Sequence, residues 1–225
     1  MTTTIITYMI LSLCIATLLF AEIWAASKKS HRLIDIANGK GKVAILNGKL
    51  LSGIAVFVIG CRYYSSLHES NMQVFDPAWS NEWSLTCLVI TIAAGMTGYK
   101  AARNNSSNNL PYSLNAFLLV IYLLLRIVFL VLYECFFRAV LLFILLNEVE
   151  VMPAILINVT LYTLVHCYSN RKEIIGCIPF GFLLCIVTLL HHSVWPAIII
   201  HLALAMSYEI TLASNKQSSF KSHQT

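Results

Sequence analysis

Glu134 and Arg138 sit four residues apart in YECFFRAVLL, positions 133–142, and no other charge interrupts that apolar stretch. Spaced i, i+4 on a helix with the acid first, they meet in the better orientation for an ion pair. A carboxylate in lipid needs such a partner, and pairing offsets only part of its desolvation. The pair therefore reads in two ways: as a bridge that fixes helix packing, or as a carboxylate held ionised for chemistry. Two imidazoles stand in later apolar stretches, His166 in NVTLYTLVHCYSN and His201 in SVWPAIIIHLALAM. At about 1.5 Å of rise per residue, Glu134, His166 and His201 can all lie within roughly 6 Å of one depth in a bilayer.

Three chemistries are open to such a set. A carboxylate and a histidine can hold and deprotonate a water while a second histidine donates to the developing oxyanion. Two histidines and a carboxylate can bind zinc. Two histidines on separate spans can be axial ligands of a haem. HExxH is absent, and the spans concerned carry few glycines to open room for a haem. No cofactor is expected, zinc being the nearest alternative. Among the other ionisable residues, Glu22 and Glu209 lie near span ends and are expected to reach the interface. Arg126 is long enough to snorkel from a tilted span.

The elements that must position these groups follow from composition. The 225 residues are 58% hydrophobic and 11% charged, against about 25% charged in soluble domains. Several windows exceed the roughly 18 apolar residues of a spanning helix. The expected fold is all-α, a polytopic transmembrane helical bundle of about seven spans at 4–26, 43–62, 83–99, 113–147, 152–168, 174–191 and 194–213. Lys49 interrupts the second, which could instead begin near Leu50. The fourth would measure about 52 Å as a straight helix against about 30 Å of hydrocarbon, so it must tilt, protrude or divide in two. The chain is expected to comprise N-terminal transmembrane helices (1–112), a membrane core with the motif residues (113–213) and a polar C-terminal tail (214–225). NNSSNNLP at 104–111 reads as the linker.

Charges sort by loop. Lys28, Lys29, Arg32, Lys40 and Lys42 follow the first span, Lys100 and Arg103 the third, Arg171 and Lys172 the fifth, and Lys216 and Lys221 the last. The intervening loops carry Glu69, Asp76 and Glu82, then Glu148 and Glu150, then His191 and His192. This alternation fits an outside N-terminus and a cytoplasmic C-terminus, and the net charge of +5 needs no nucleic acid to explain it. The apolar N-terminus has no basic residue before it and exceeds a signal peptide's core, so a retained first helix is expected. Seven cysteines lie in or beside apolar segments without a CxxC pair, which suits small buried hydrophobes.

Together these segments resemble the CPBP family of intramembrane endopeptidases, also called the ABI family, which includes the type II CAAX prenyl proteases and bacterial proteins linked to bacteriocin processing or self-immunity. The family's EExxxR motif corresponds to Tyr133-Glu134-Cys135-Phe136-Phe137-Arg138, its FxxxH to Tyr162 through His166, and its HxxxN to His201 through Ala205. The likeness spans roughly 113–207. It implies a membrane endopeptidase acting on a hydrophobic or prenylated peptide, with Glu134, His166 and His201 as catalytic residues, Arg138 in support and no metal. Two departures bear on activity. Tyr133 occupies the position of the family's first Glu, which with the histidine of the second motif activates water. Ala205 occupies the position of the oxyanion-assisting Asn. The alternative is an inactive relative that binds a peptide or acts as an immunity-type membrane protein. Membrane lipid and a membrane partner protein are the other expected contacts, and the kind of relative implies a bacterial plasma membrane.

Overall fold

The computed structural model describes residues 2–30, 32–33, 42–67, 75, 81–105, 116–169 and 171–222. The regular structure among them is helical: α1 (Thr2–Ser27), α2 (Val43–Leu67), α3 (Asn81–Asn105), α4 (Ala116–Glu134), a π-helical segment (Cys135–Leu141), α5 (Leu142–Glu148), α6 (Val151–Val165), α7 (Arg171–His191) and α8 (Trp195–Ser222). Lys40, Glu69, Asp76 and residues 106–111 of the linker lie outside the described residues. Among those described, six spans are long and apolar enough to cross a membrane. The protein is a multi-pass helical membrane bundle.

The long fourth span does not divide. It runs from Phe117 to Glu148 over 32 residues, through the π-helical segment, and turns only at Val149, whose extended backbone (φ −139°, ψ 164°) stops α5. At about 48 Å it is longer than the hydrocarbon is thick. The next helix is short. α6 has 15 residues, about 22 Å, and ends three residues before the expected boundary at 168. Lys49 does not shorten the second span either: α2 starts at Val43, and Lys49 is buried against Glu22 of α1 at 3.0 Å.

Small residues let helices approach. Gly98 of α3 lies against the Leu204 carbonyl of α8, and Gly95 faces Ser207 of the same helix. A side chain at Gly98 would meet that backbone, so α3 and α8 pack as only small residues allow. On α2, Gly53 and Gly60 receive the rings of Phe129 and Phe136. Phe57 lies between them and stacks on Phe129, Tyr133 and Phe136 at 5.3–5.5 Å. Leu85, Val89 and Ile92 of α3, Phe117 and Leu124 of α4 and Ile175 of α7 point outward, as lipid-facing side chains must when the solvent is hydrocarbon.

Candidate functional site

Glu134 closes α4, and the next turn changes hydrogen-bond register. The Leu142 amide donates to the Phe137 carbonyl five residues back, the π pattern. A side chain from another helix reinforces the distortion: Asn158 Nδ2 of α6 donates to the same carbonyl at 2.7 Å. A polar group inserted into the ladder is a recognised cause of such breaks.

The network on this turn is buried. Arg138 Nε donates to Glu134 Oε2 at 3.0 Å, and Nη1 donates to Asn158 Oδ1 at 2.5 Å and contacts Cys185 Sγ of α7 at 3.0 Å. Its guanidinium lies 4.9 Å over the Tyr162 ring, a cation–π contact. The other carboxylate oxygen, Oε1, is 2.5 Å from His201 Nδ1 of α8. An ionised carboxylate only accepts, so this contact assigns the proton to Nδ1 and leaves Nε2 as the basic nitrogen. Glu134, Arg138 and Asn158 have no solvent exposure. Charge is balanced within the cluster, which is the condition for keeping ions in a dry interior.

Tyr133 is packed among rings, two of which border the same network. Phe137 is 4.6 Å from it, Phe57 5.5 Å, Tyr162 5.6 Å, Phe129 5.8 Å, His201 6.0 Å and His166 6.2 Å. Tyr162 lies 5.3 Å from His166 and 6.4 Å from His201, so both imidazoles border the same two tyrosines. Tyr133 Oη, His166 Nε2 and Arg138 Nη2 are buried here without a hydrogen bond, as is Thr163 Oγ1 on α6.

Glu134, Arg138 and His201 are thus brought into direct contact. His166 is their neighbour across the tyrosines and has no hydrogen bond to Glu134. It lies at the C-cap of α6, with φ −94° and ψ 8°, because the chain tightens there: its amide donates to Thr163 O at 3.0 Å. Ala205 stands one turn beyond His201 on α8 and offers no donor. Among the described residues, no three His, Cys, Asp or Glu side chains group as metal ligands.

Residues 114–207 match the family model of type II CAAX prenyl endopeptidases, Rce1-like. Over that segment, which is less than half of the chain, the protein is similar to this family. No curated protein and no solved structure matches the chain. The matched segment runs from the approach to α4 into α8, and takes in every motif residue, with Asn158 and Cys185. Outside it lie α1, α2 and α3, and with them Glu22 and Lys49.

Two features of this CAAX-protease-like core, and a third just beyond it, were not anticipated from the sequence. Asn158 was legible as a lone amide in an apolar span, a polar residue that lipid makes costly to leave unpaired. Cys185 is buried like the other core cysteines but contacts Arg138. Glu209 does not reach the interface as expected: it is 7% exposed. Tyr122 Oη donates to its Oε1 at 2.9 Å, and Arg126 Nε stands 4.0 Å from the same oxygen. Burial is tolerated because Arg126 balances the charge. Glu22 likewise pairs inward, with Lys49. A thiol–imidazole contact, Cys87 to His191 at 3.0 Å, lies apart from the network.

Proposed function

We propose that this CAAX-protease-like membrane protein binds a membrane-associated or lipid-modified peptide and does not hydrolyse it by the family's glutamate–histidine route. The observation that carries the reading is the pair of positions 133 and 134. Tyr133, at the water-activating position, is packed among six rings, and a phenol with a reference pKa near 10 is a poor base at neutral pH. Glu134, beside it, has one oxygen on Arg138 and the other on His201. Each oxygen keeps a further lone pair, but a water must reach it at a carboxylate with no solvent exposure. His166, the other half of the family's water-activating pair, has no carboxylate partner. At Ala205 the missing donor removes a group that can be worth about 10²–10³ in rate.

One observation favours an endopeptidase reading instead. A carboxylate on His201 Nδ1 orients the imidazole with Nε2 free to accept a proton, the arrangement by which carboxylates support general-base histidines. In that reading Glu134 positions His201, and His166 supplies the second polar contact to substrate. The charge alternation of the loops supports an outside N-terminus and a cytoplasmic C-terminus.

The test uses the full chain in detergent with a fluorescent farnesylated peptide, following anisotropy for binding and a quenched version for cleavage. Saturable binding without turnover is the expected result. Turnover by the parent that disappears in a Glu134→Gln variant still folded at the assay temperature would establish the endopeptidase reading in its place.

A further inference from the structure

A second buried polar group lies along the same two helices. Tyr122, Arg126, Phe129 and Tyr133 share one face of α4 at i, i+4, i+7 and i+11, and His201, Ala205 and Glu209 share one face of α8 at i, i+4 and i+8. Glu209 and Arg126 are therefore opposed about two turns, roughly 12 Å, from the level of His201. Lys49 and Glu22 form a closed ion pair at 3.0 Å. Arg126 and Glu209 are left open. Their closest contact is 4.0 Å, beyond hydrogen-bond length, and both Arg126 Nε and Glu209 Oε2 are buried without a hydrogen-bond partner. Tyr122 saturates only Oε1. The Arg126 side chain is 23% exposed while that of Glu209 is 9% exposed, so the orphaned acceptor lies inside and the arginine stands at its approach.

The chemistry of a group that completes this pair is restricted. Two cations and two carboxylates leave the cluster without net charge. An anion would face Glu209, and a cation would face Arg126. What fits is a neutral unit that accepts from Arg126 Nε and donates to Glu209 Oε2 on one side. One residue of an extended peptide does this, since its own C=O and N–H point the same way, as in the paired residues of an antiparallel ladder.

We propose that Arg126 and Glu209 form a subsite for the main chain of an extended peptide, with a peptide C=O on Arg126 Nε and the same residue's N–H on Glu209 Oε2. This rests on the peptide-binding reading above and adds its anchoring point. The subsite recognises backbone rather than side chain, as strand-addition sites do, so it tolerates varied sequences and demands an extended segment.

An ester scan tests it. Each amide of the fluorescent farnesylated peptide is replaced in turn by an ester, which deletes one N–H, and binding to the full-length protein in detergent is measured by anisotropy. One position is expected to weaken binding by about ten-fold or more, the loss of a hydrogen bond to a charged group. In Arg126→Leu/Glu209→Leu the all-amide peptide should bind correspondingly weaker, and the ester at that position should then match the amide. Apolar replacement of both members of a buried pair is commonly tolerated. Should that variant fail to fold, Glu209→Gln keeps the shape and should shrink the same ester effect. If the native protein binds but no ester position matters, or if the sensitive position persists in the variants, the subsite is wrong and the peptide-binding reading stands. If the native protein binds no peptide, both fall.

Discussion

Removing one member of the Glu134–Arg138 pair should cost more than removing both. Arg138→Met keeps most of the side-chain volume but deletes the Nε bond to Glu134 and the Nη1 bond to Asn158. An uncompensated buried charge costs about 3–5 kcal/mol, and the orphaned Asn158 Oδ1 adds about 1–3 kcal/mol. The single variant should therefore lose roughly 4–8 kcal/mol, a large part of a typical total of about 5–15 kcal/mol. Glu134→Leu strands Arg138 and His201 Nδ1 and should cost a similar amount. In Glu134→Leu/Arg138→Met no charge is stranded, and what remains is two unpaired neutral groups at about 1–3 kcal/mol each. On these figures the cycle should show a coupling of roughly 6–10 kcal/mol, twice the cost of one stranded charge and above the usual range for residues in contact. Unfolding midpoints in mixed detergent–SDS micelles read all four corners. A coupling under about 0.5 kcal/mol would refute the claim that these residues act as one buried ion pair.

Other consequences follow from single positions. Tyr133→Phe deletes a buried hydroxyl without a partner and keeps the ring cluster, so stability should hold or rise by about 1 kcal/mol; a loss of more than that in thermal unfolding would mean the hydroxyl is bonded. Gly98→Val forces a side chain onto the Leu204 carbonyl and should destabilise by about 1–3 kcal/mol as overpacking, against little change for Gly48→Ala, where nothing lies near the new methyl. Asn158→Leu removes both the acceptor for Arg138 and the donor to Phe137 O. It should cost about 1–3 kcal/mol and speed amide exchange around Leu142 more than in α8.

Legibility differed by cause. The helical membrane class followed from composition, and the Glu134–Arg138 contact from i, i+4 spacing, because both depend on local sequence. The span 113–147 stays one helix with a π turn rather than two helices. That turn was not legible, since it depends on Asn158 reaching in from α6, a contact between residues far apart in the chain. His201 rather than His166 meets Glu134 because α6 stops at Val165, a boundary set by local tightening after an apolar run that could have continued. Glu209 was expected at the interface from its distance to a span end, and Arg126 was read only as long enough to snorkel from a tilted span. Distance along a helix does not say which face it turns inward, and their partner Tyr122 lies on a different helix from Glu209.

On the proposed reading, the residue types at positions 133 and 205, and not the helical scaffold, separate this chain from a hydrolase. The most direct measurement is turnover of the quenched farnesylated peptide by the parent and by Tyr133→Glu/Ala205→Asn, side by side in detergent. No turnover by the parent and measurable turnover by the variant is the predicted result. Turnover by the parent that the variant does not raise would contradict it.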